Sequence, residues 1–510
     1  MKKRGTQFVV PVIDLFAGPG GLSEGFERYR IGDKTVFKSV LSIEKERYAH
    51  QTLLLRAFFR QFRKPPLKYY EHLRGKVTLD QLYRAYPKQC KKAAKQAIRL
   101  ALRFENRERI DGLIRSALRG HRDSWVLIGG PPCQAYSIAG RARIRAEDGA
   151  SFENDRRHFL YKEYLHILKT FKPPVFVMEN VKGLLSSSTE TGKKKPDRTK
   201  TGETFRRILR DFSGAGYSIH SFVKTGRDDQ LSPVDYVINA EKYGVPQTRH
   251  RVILLGVRKG LSRGSSLLRV TRSVSIQSAI GDLPRLRSRI SPRSKDSFEA
   301  WATELRKLRS VFTGQGELRR MNGSRRTLGS LPIGGTFIDT RYPSPTRSRW
   351  LQMNDGWFID RKIKGVTLHQ ARWHMPTDLR RYLFASHYAR MHGVSPKIPQ
   401  FRWWQRPEHE SIGDYVADVP FADRFRVQIR GKPSTTIVSH ISKDGHYYIH
   451  YDPTQSRSLT VREAARLQTF PDNYYFEGSR TAQYQQVGNA VPPLLARKMA
   501  KIVHHILERL

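Results

Sequence analysis

Residues 125–143 read WVLIGGPPCQAYSIAGRAR, and the interpretation of this stretch decides the fold. The apolar run 125–128 predicts a short buried strand. Gly129-Gly130-Pro131-Pro132 ends it, because neither a ladder nor a helix continues through such residues. Cys133 comes next, in a turn of small and polar residues. Most free cysteines are small core hydrophobes. The Gly-Gly-Pro-Pro break argues against that here, since it exposes the residue just after it. A thiol at the carboxyl end of a buried strand sits where open α/β sheets place their chemistry.

Upstream, residues 8–15 (FVVPVIDL) are β-rich and lead into Phe16-Ala17-Gly18-Pro19-Gly20-Gly21, after which residues 22–29 have helical character. Strand, glycine turn and helix make the nucleotide-binding start of a doubly wound sheet. The pattern is not G-x-G-x-x-G. Residues 36–43 predict the next strand, and Glu44 ends it. An acid about 20 residues after such glycines commonly takes ribose hydroxyls; the competing reading is a solvated carboxylate at a helix start.

The totals narrow the class. With 510 residues, 38% hydrophobic, the chain is long enough for two or three folded domains. Two cysteines, Cys90 and Cys133, exclude a disulfide framework and fit a reducing compartment. No run is apolar enough to span a bilayer, and the basic start loses its apolar character at Asp14, against a signal peptide. Lys and Arg outnumber Asp and Glu by 93 to 46, which predicts a polyanionic partner, most often nucleic acid. Charge does not separate DNA from RNA.

Residues 48–122 read as basic amphipathic helices inserted before the Cys133 strand, their charge mostly a solvated face. After the Cys133 loop, residues 160–169 predict a helix and 175–178 a buried strand followed by Glu179-Asn180. Residues 186–203 form a polar, low-complexity loop. Strands are expected at 235–239 and 252–257, with Arg249 and Arg251 alternating between them toward one face. Beyond residue 260 the composition changes to a basic, Ser-rich stretch, and then to an irregular region holding Trp350, Trp357, Trp373, Trp403 and Trp404. It reads as a second domain whose Arg and Gln side chains suit nucleic-acid contact, most of its tryptophans being core. Residues 462–470 predict a helix stopped by Pro471, and 494–510 a final helix. Gly488-Asn489 alone reads as a cap.

Cys133, Glu179 and the two arginines sharing one pocket would suit addition to an electron-poor ring. The thiolate is the nucleophile, the carboxyl group exchanges a proton with a ring nitrogen, and the guanidinium groups hold a carbonyl oxygen or a phosphate. A pyrimidine attacked by sulfur at C6 becomes an enamine, nucleophilic at C5.

At this point the motifs resemble those of the DNA (cytosine-5) methyltransferases. The matching segments are DLFAGPGG (14–21), GGPPCQAYS (129–137), ENVKG (179–183), Gln247-x-Arg249-x-Arg251, REAARLQTFP (462–471) and VGNAVPP (487–493), in that family's order. The resemblance implies roles. Cys133 would attack cytosine C6, Glu179 would engage N3 and the exocyclic amine, Arg251 would hold the O2 side, and Arg249 would support the loop and a nearby phosphate. The methyl donor would be S-adenosyl-L-methionine. Phe16 and Leu160 would line its adenine pocket, Glu44 its ribose, and the backbone around Gly18 and Gly20, with Asn489, its methionine end. No metal is implied. The cytosine would be flipped out of double-stranded DNA.

The expected fold is α/β, a doubly wound, mostly parallel sheet of the S-adenosylmethionine-dependent methyltransferase type with a second, irregular target-recognition domain. The expected division is 1–258 catalytic and cofactor-binding with the insertion at 48–122, 259–455 target recognition, and 456–510 returning to the catalytic domain. Two features depart from the family. The insertion is long, and the short acidic motif that contacts the cofactor adenine has only Asp111 and Asp123 as candidates. A sequence-specific restriction–modification or orphan enzyme is expected, acting as a monomer on DNA in the prokaryotic cytoplasm and nucleoid, with a cognate endonuclease as partner and no membrane. A tRNA methyltransferase of the same fold would carry a smaller 259–455 region. A catalytically silent DNA-binding protein would not need Cys133, Glu179 and Arg251 together. A dinucleotide oxidoreductase gives no use for the Pro-Cys-Gln loop.

Overall fold

The computed structural model describes residues 9–121, 123–132, 160–186, 202–226, 230–262, 264, 266–293, 296–308, 331–407 and 422–509. Cys133, the rest of its loop to residue 159, and the greater part of the polar 186–203 stretch lie outside them.

The central sheet is built from β1 (Val10–Leu15), β2 (Phe37–Glu44), β3 (Ala97–Arg99), β4 (Val126–Gly129), β5 (Val175–Val181), β6 (Tyr217–His220), β7 (Val237–Asn239) and β8 (His250–Arg258). Its order is β3-β2-β1-β4-β5-β8-β6, with β7 also paired to β8. The first five strands run parallel, and β8 runs antiparallel to its three neighbours. β1 holds Pro11 although it is central. Pairing with β4 begins only at Val12, so the missing N–H leaves no gap on that side of the ladder.

Period-two alternation divides these strands between two cores. Val12, Val126, Ile128, Val175 and Val177 face one of them; Ile13, Leu15, Leu127, Phe176 and Met178 face the other. Helices α1 (Gly21–Glu27), α2 (Arg47–Phe59), α3 (Leu67–Leu73), α4 (Leu79–Ala85), α5 (Pro87–Gln96), α6 (Arg107–Ala117), α7 (Leu160–Phe171) and α8 (Glu203–Gly214) connect the strands. Strand order reverses at β1 and β4, and the crevice outside their carboxyl ends is where this architecture holds ligands. The glycine turn and Gly129-Gly130 both lie there.

The 48–122 stretch is not one insertion, as the sequence had implied. Ala97–Arg99 is the sheet's edge strand, and Arg107–Ala117 is a helix packed against β2. A three-residue strand gives too short a run to break the helical periodicity around it. The addition proper is α3–α5, which share a core with α2. Tyr70 donates to Asp360 at 2.8 Å and Arg74 to the Ile363 carbonyl at 3.0 Å, so this addition braces the later region.

That later region holds a hairpin, β9 (Gly334–Asp339) with β10 (Gly365–Gln370), and the long helix α9 (Pro376–His392). The chain ends in α10 (Val461–Leu467), α11 (Arg480–Asn489) and α12 (Pro493–Leu507). α12 returns to the sheet's core. α10 and α11 instead share a core with residues of the later region, among them Ile276, Leu368 and Ile437, so the terminal segment is divided between the two. Close packing of α12 on α1 depends on Gly25, where a Cβ would lie 2.4 Å from the Pro493 carbonyl oxygen. Most of the region's five tryptophans were expected in its core, but only Trp357 is fully buried; Trp350 and Trp373 are half-buried, and Trp403 and Trp404 are exposed. Among the described residues no helix is long and apolar enough to cross a membrane.

Candidate active site

The glycine turn leaves β1 through Phe16, whose φ of 55° is rare for a bulky residue and signals a turn held by its surroundings. Gly18 and Gly20 also have positive φ, and Gly20 caps α1. Among the described residues a Cβ on Gly18 would meet nothing within 4 Å. Glu44, at the end of β2, accepts from the Gly18 N–H and the Glu46 N–H, both at 2.8 Å. The helix-start carboxylate is Glu46, which caps α2 through Ala49. Tyr474 donates to the Pro19 carbonyl, fixing the turn from the terminal segment. The carboxylate of Asp14, the last residue but one of β1, is fully buried among apolar neighbours. Burial pushes its carboxyl group up to about 7, against the pull of Ser23. An acid ending an otherwise apolar strand was the signal for it, and sequence reasoning gave it no role.

The second half of the site lies on β5 and β8. β5 runs two residues past Glu179, which pairs in register with Ile253. Arg251 Nε lies 3.0 Å from Glu179 Oε1, and both side chains are largely enclosed. On Gly130 a Cβ would stand 3.0 Å from Glu179 Oε2, so the chain leaving β4 passes directly over the carboxylate. Asn180 Nδ2 donates to the Pro131 carbonyl at 3.3 Å. The first residues of the Cys133 loop are thereby anchored on Glu179 and Asn180, with Cys133 itself beyond the described residues. Leu160, half-buried, opens α7 where description resumes.

Arg249 departs from expectation. It shares no face with Arg251 and contacts no outer surface. Its N–H turns back to the Gln247 carbonyl at 2.9 Å, which breaks the extended register before β8. The side chain is 2% exposed and donates to the carbonyls of Ile437 at 2.7 Å and Gly488 at 3.2 Å. Buried carbonyl oxygens need donors, and Arg249 serves them rather than a phosphate. Gln247, unassigned from sequence, does related work: its amide donates to Leu467 O at 3.0 Å and Gln468 Oε1 at 2.7 Å. Gln468 in turn donates to Val487 O at 2.7 Å. The Gln-x-Arg, REAARLQTFP and VGNAVPP segments are thus one hydrogen-bonded unit. Asn489 is exposed and ends α11, so Gly488-Asn489 closes a helix instead of capping the next one. The Val491 carbonyl beyond it would stand 2.3 Å from a Cβ on Gly21, which puts this segment against the glycine turn.

Neither acidic candidate for an adenine contact lies at the crevice. Asp111 is taken by His166 Nε2 at 3.1 Å, and Asp123 precedes β4 at the opposite edge. Residues 100–102, which leave β3, are Leu-Ala-Leu.

The model of the C-5 cytosine-specific DNA methylases matches residues 116–505. The chain belongs to this family. It is a DNA (cytosine-5-)-methyltransferase. The methylase is 32% identical to the type II methyltransferase M.Bpa9945I of Bacillus paralicheniformis over 519 residues, covering 97% of this chain and 99% of the relative. It is 26% identical to M.ApeKI of Aeropyrum pernix, a DNA (cytosine-5-)-methyltransferase, over 76% of this chain and 82% of the relative. A solved prophage-encoded DNA modification methyltransferase of E. coli shares the methylase's fold, with a TM-score of 0.53 at 17% identity, covering 98% of this chain and 99% of that one.

Proposed function

We propose that this methylase transfers a methyl group from S-adenosyl-L-methionine to C5 of a flipped-out cytosine in duplex DNA, through a covalent Cys133 adduct. The observation that carries the reading is the Glu179 carboxylate, paired to Arg251 and set against Gly130 where the Cys133 loop begins. The donor fits the crevice. Its ribose diol matches the Glu44 carboxylate at the end of β2, and its methionine end matches the space beside Gly18. Phe16 and Leu160 would flank the adenine, with Gly20 and Asn489 at the methionine end.

When bound, S-adenosylmethionine supplies an electrophilic methyl group. The Cys133 thiolate forms a bond to C6 while Glu179 delivers a proton to N3. Arg251 holds the Glu179 carboxylate and the O2 side. The electron pair released to C5 takes the methyl group, a base removes the C5 proton, and the sulfur–C6 bond breaks to return the thiolate as N3 gives up its proton. Closing the site over a flipped base strengthens these charge interactions by excluding water. Arg249 acts from behind, as a positioning residue.

Residues 259–455 are proposed to read the target sequence. A cognate endonuclease, a monomer on DNA, and a prokaryotic cytoplasmic location complete the reading. The test is a duplex holding 5-fluorocytosine at the target base, in which fluorine replaces the departing proton. Wild-type protein with the methyl donor should become covalently joined to it, and Cys133→Ser should not. A trapped Cys133→Ser adduct would overturn the nucleophile, and methyl transfer to tRNA but not to duplex DNA would overturn the substrate.

A further inference from the structure

Three arginines gather around Trp373 in the later region. Arg289 and Trp373 are partners in a short parallel strand pair. The guanidinium of Arg289 lies 4.9 Å from the Trp373 ring centroid and that of Arg293 lies 5.5 Å from it. Arg480, the first residue of α11, donates to the Ala371 carbonyl at 3.3 Å, two residues before Trp373. Among the described residues none of the three has a carboxylate within ion-pair distance. Asp296, whose charge reaches Arg289, is taken by Arg287 at 2.7 Å and by the Ile290 N–H at 3.3 Å. Arg372 adds a further cation nearby but is committed to the Ile441 and Lys443 carbonyls and stacks on Tyr484.

Like charges held together without a counter-charge destabilise a fold unless an anion occupies the space between them. Burial and the surrounding arginines push the pKa values of Arg289 and Arg480 below the ordinary arginine range. Arg289 also keeps a buried Nε with no acceptor. Planar guanidinium groups bind phosphate through paired N–H donors, and an indole face fixes them at little entropic cost.

We propose that Arg289, Arg293 and Arg480 form a phosphate-binding site that holds a backbone phosphodiester of the bound duplex, which rests on duplex DNA being the substrate. α11 sets its place. One end of that helix carries Arg480, and the other carries Gly488, bound to Arg249 beside the glycine turn. Eight rises of about 1.5 Å separate Arg480 from Gly488, which puts the cluster about 12 Å along the helix from the Arg249 contact, roughly three to four base pairs of duplex.

The test is equilibrium binding of target and non-target duplexes as salt is raised, with Arg289→Gln/Arg293→Gln/Arg480→Gln and, because the half-buried Arg289 and Arg480 carry a folding risk, the exposed Arg293→Gln alone. The expected result is a salt slope shallower by roughly 0.9 per lost phosphate contact, equal on both duplexes, with S-adenosylmethionine binding unchanged and the melting temperature not lowered. An unchanged slope in both variants would overturn the site. Inorganic phosphate separates the sources. A phosphate-induced rise in melting temperature that the variants lose, with their DNA slope intact, would assign the site to a free anion and overturn the duplex contact. Wild-type protein without salt-dependent duplex affinity would overturn both this site and the substrate reading beneath it.

Discussion

Arg251 and Glu179 stand on adjacent antiparallel strands with 3.0 Å between Nε and a carboxylate oxygen. The strand pairing aligns Arg251 with Val181, two residues beyond Glu179, so the side chains meet on one sheet face. The pair therefore does not depend on any loop. Replacing Arg251 by Ala should lower kcat for methyl transfer by roughly 100-fold or more, as the loss of one preorganised charge partner does. Arg251→Lys should recover only part of it, since an ammonium does not reproduce the fork. Single-turnover methylation rates measure both.

Arg249 should behave in the opposite way. Arg249→Ala leaves two buried carbonyls without their donor, and a loss of about 2–4 kcal/mol in stability is expected. Urea denaturation measures it. Activity per folded molecule should fall far less than in Arg251→Ala; an equal collapse of both would return Arg249 to the chemistry.

Gly25→Ala places a methyl group 2.4 Å from the Pro493 carbonyl and the Ala496 side chain. The helices must part, at a cost of about 1–3 kcal/mol. Because α1 begins at the glycine turn, affinity for S-adenosylmethionine should weaken with it, which calorimetric titration reads directly.

Acid should unfold the later region early. Burial pushes His369 and His450 down to about 4, and His374 is likewise depressed by burial and by Arg372. The unfolded chain, with ordinary histidines, binds more protons between about 6.5 and 4. Stability is therefore complete above 6.5 and declines as pH falls toward 4, at roughly 1.4 kcal/mol per pH unit for each histidine. Asp14 has the reverse sign. Its folded-state pKa is raised to about 7, so the native state retains a proton that the unfolded chain releases, and its contribution declines as pH rises toward 7. Asp14→Asn should melt higher than wild type at pH 8, with the difference shrinking by pH 5. Thermal melts across that range measure both effects.

The parts of the fold legible in sequence were those where one signal dominates. β1, β4 and β5 are continuous apolar runs, and the glycine turn and Gly129-Pro132 break announce their ends. Glu179 and Glu44 were legible because they close such runs. β3 was hidden, since three residues between basic helices carry no periodicity of their own. Arg249 was misread because alternation assumes an unbroken strand, and one backbone turn to Gln247 cancels it. The divided terminal segment could not be read locally: α10 and α11 bury their faces against residues more than a hundred positions away. Asp14 was visible as a letter, but its complete burial is a property of packing alone.

The contact between α1 and α12 joins two helices more than 460 residues apart in the chain. The α1 wall of the crevice is complete only when this distant segment has folded back onto it. Loosening α12 would therefore bare an apolar flank of α1 and slacken the glycine turn at the same time.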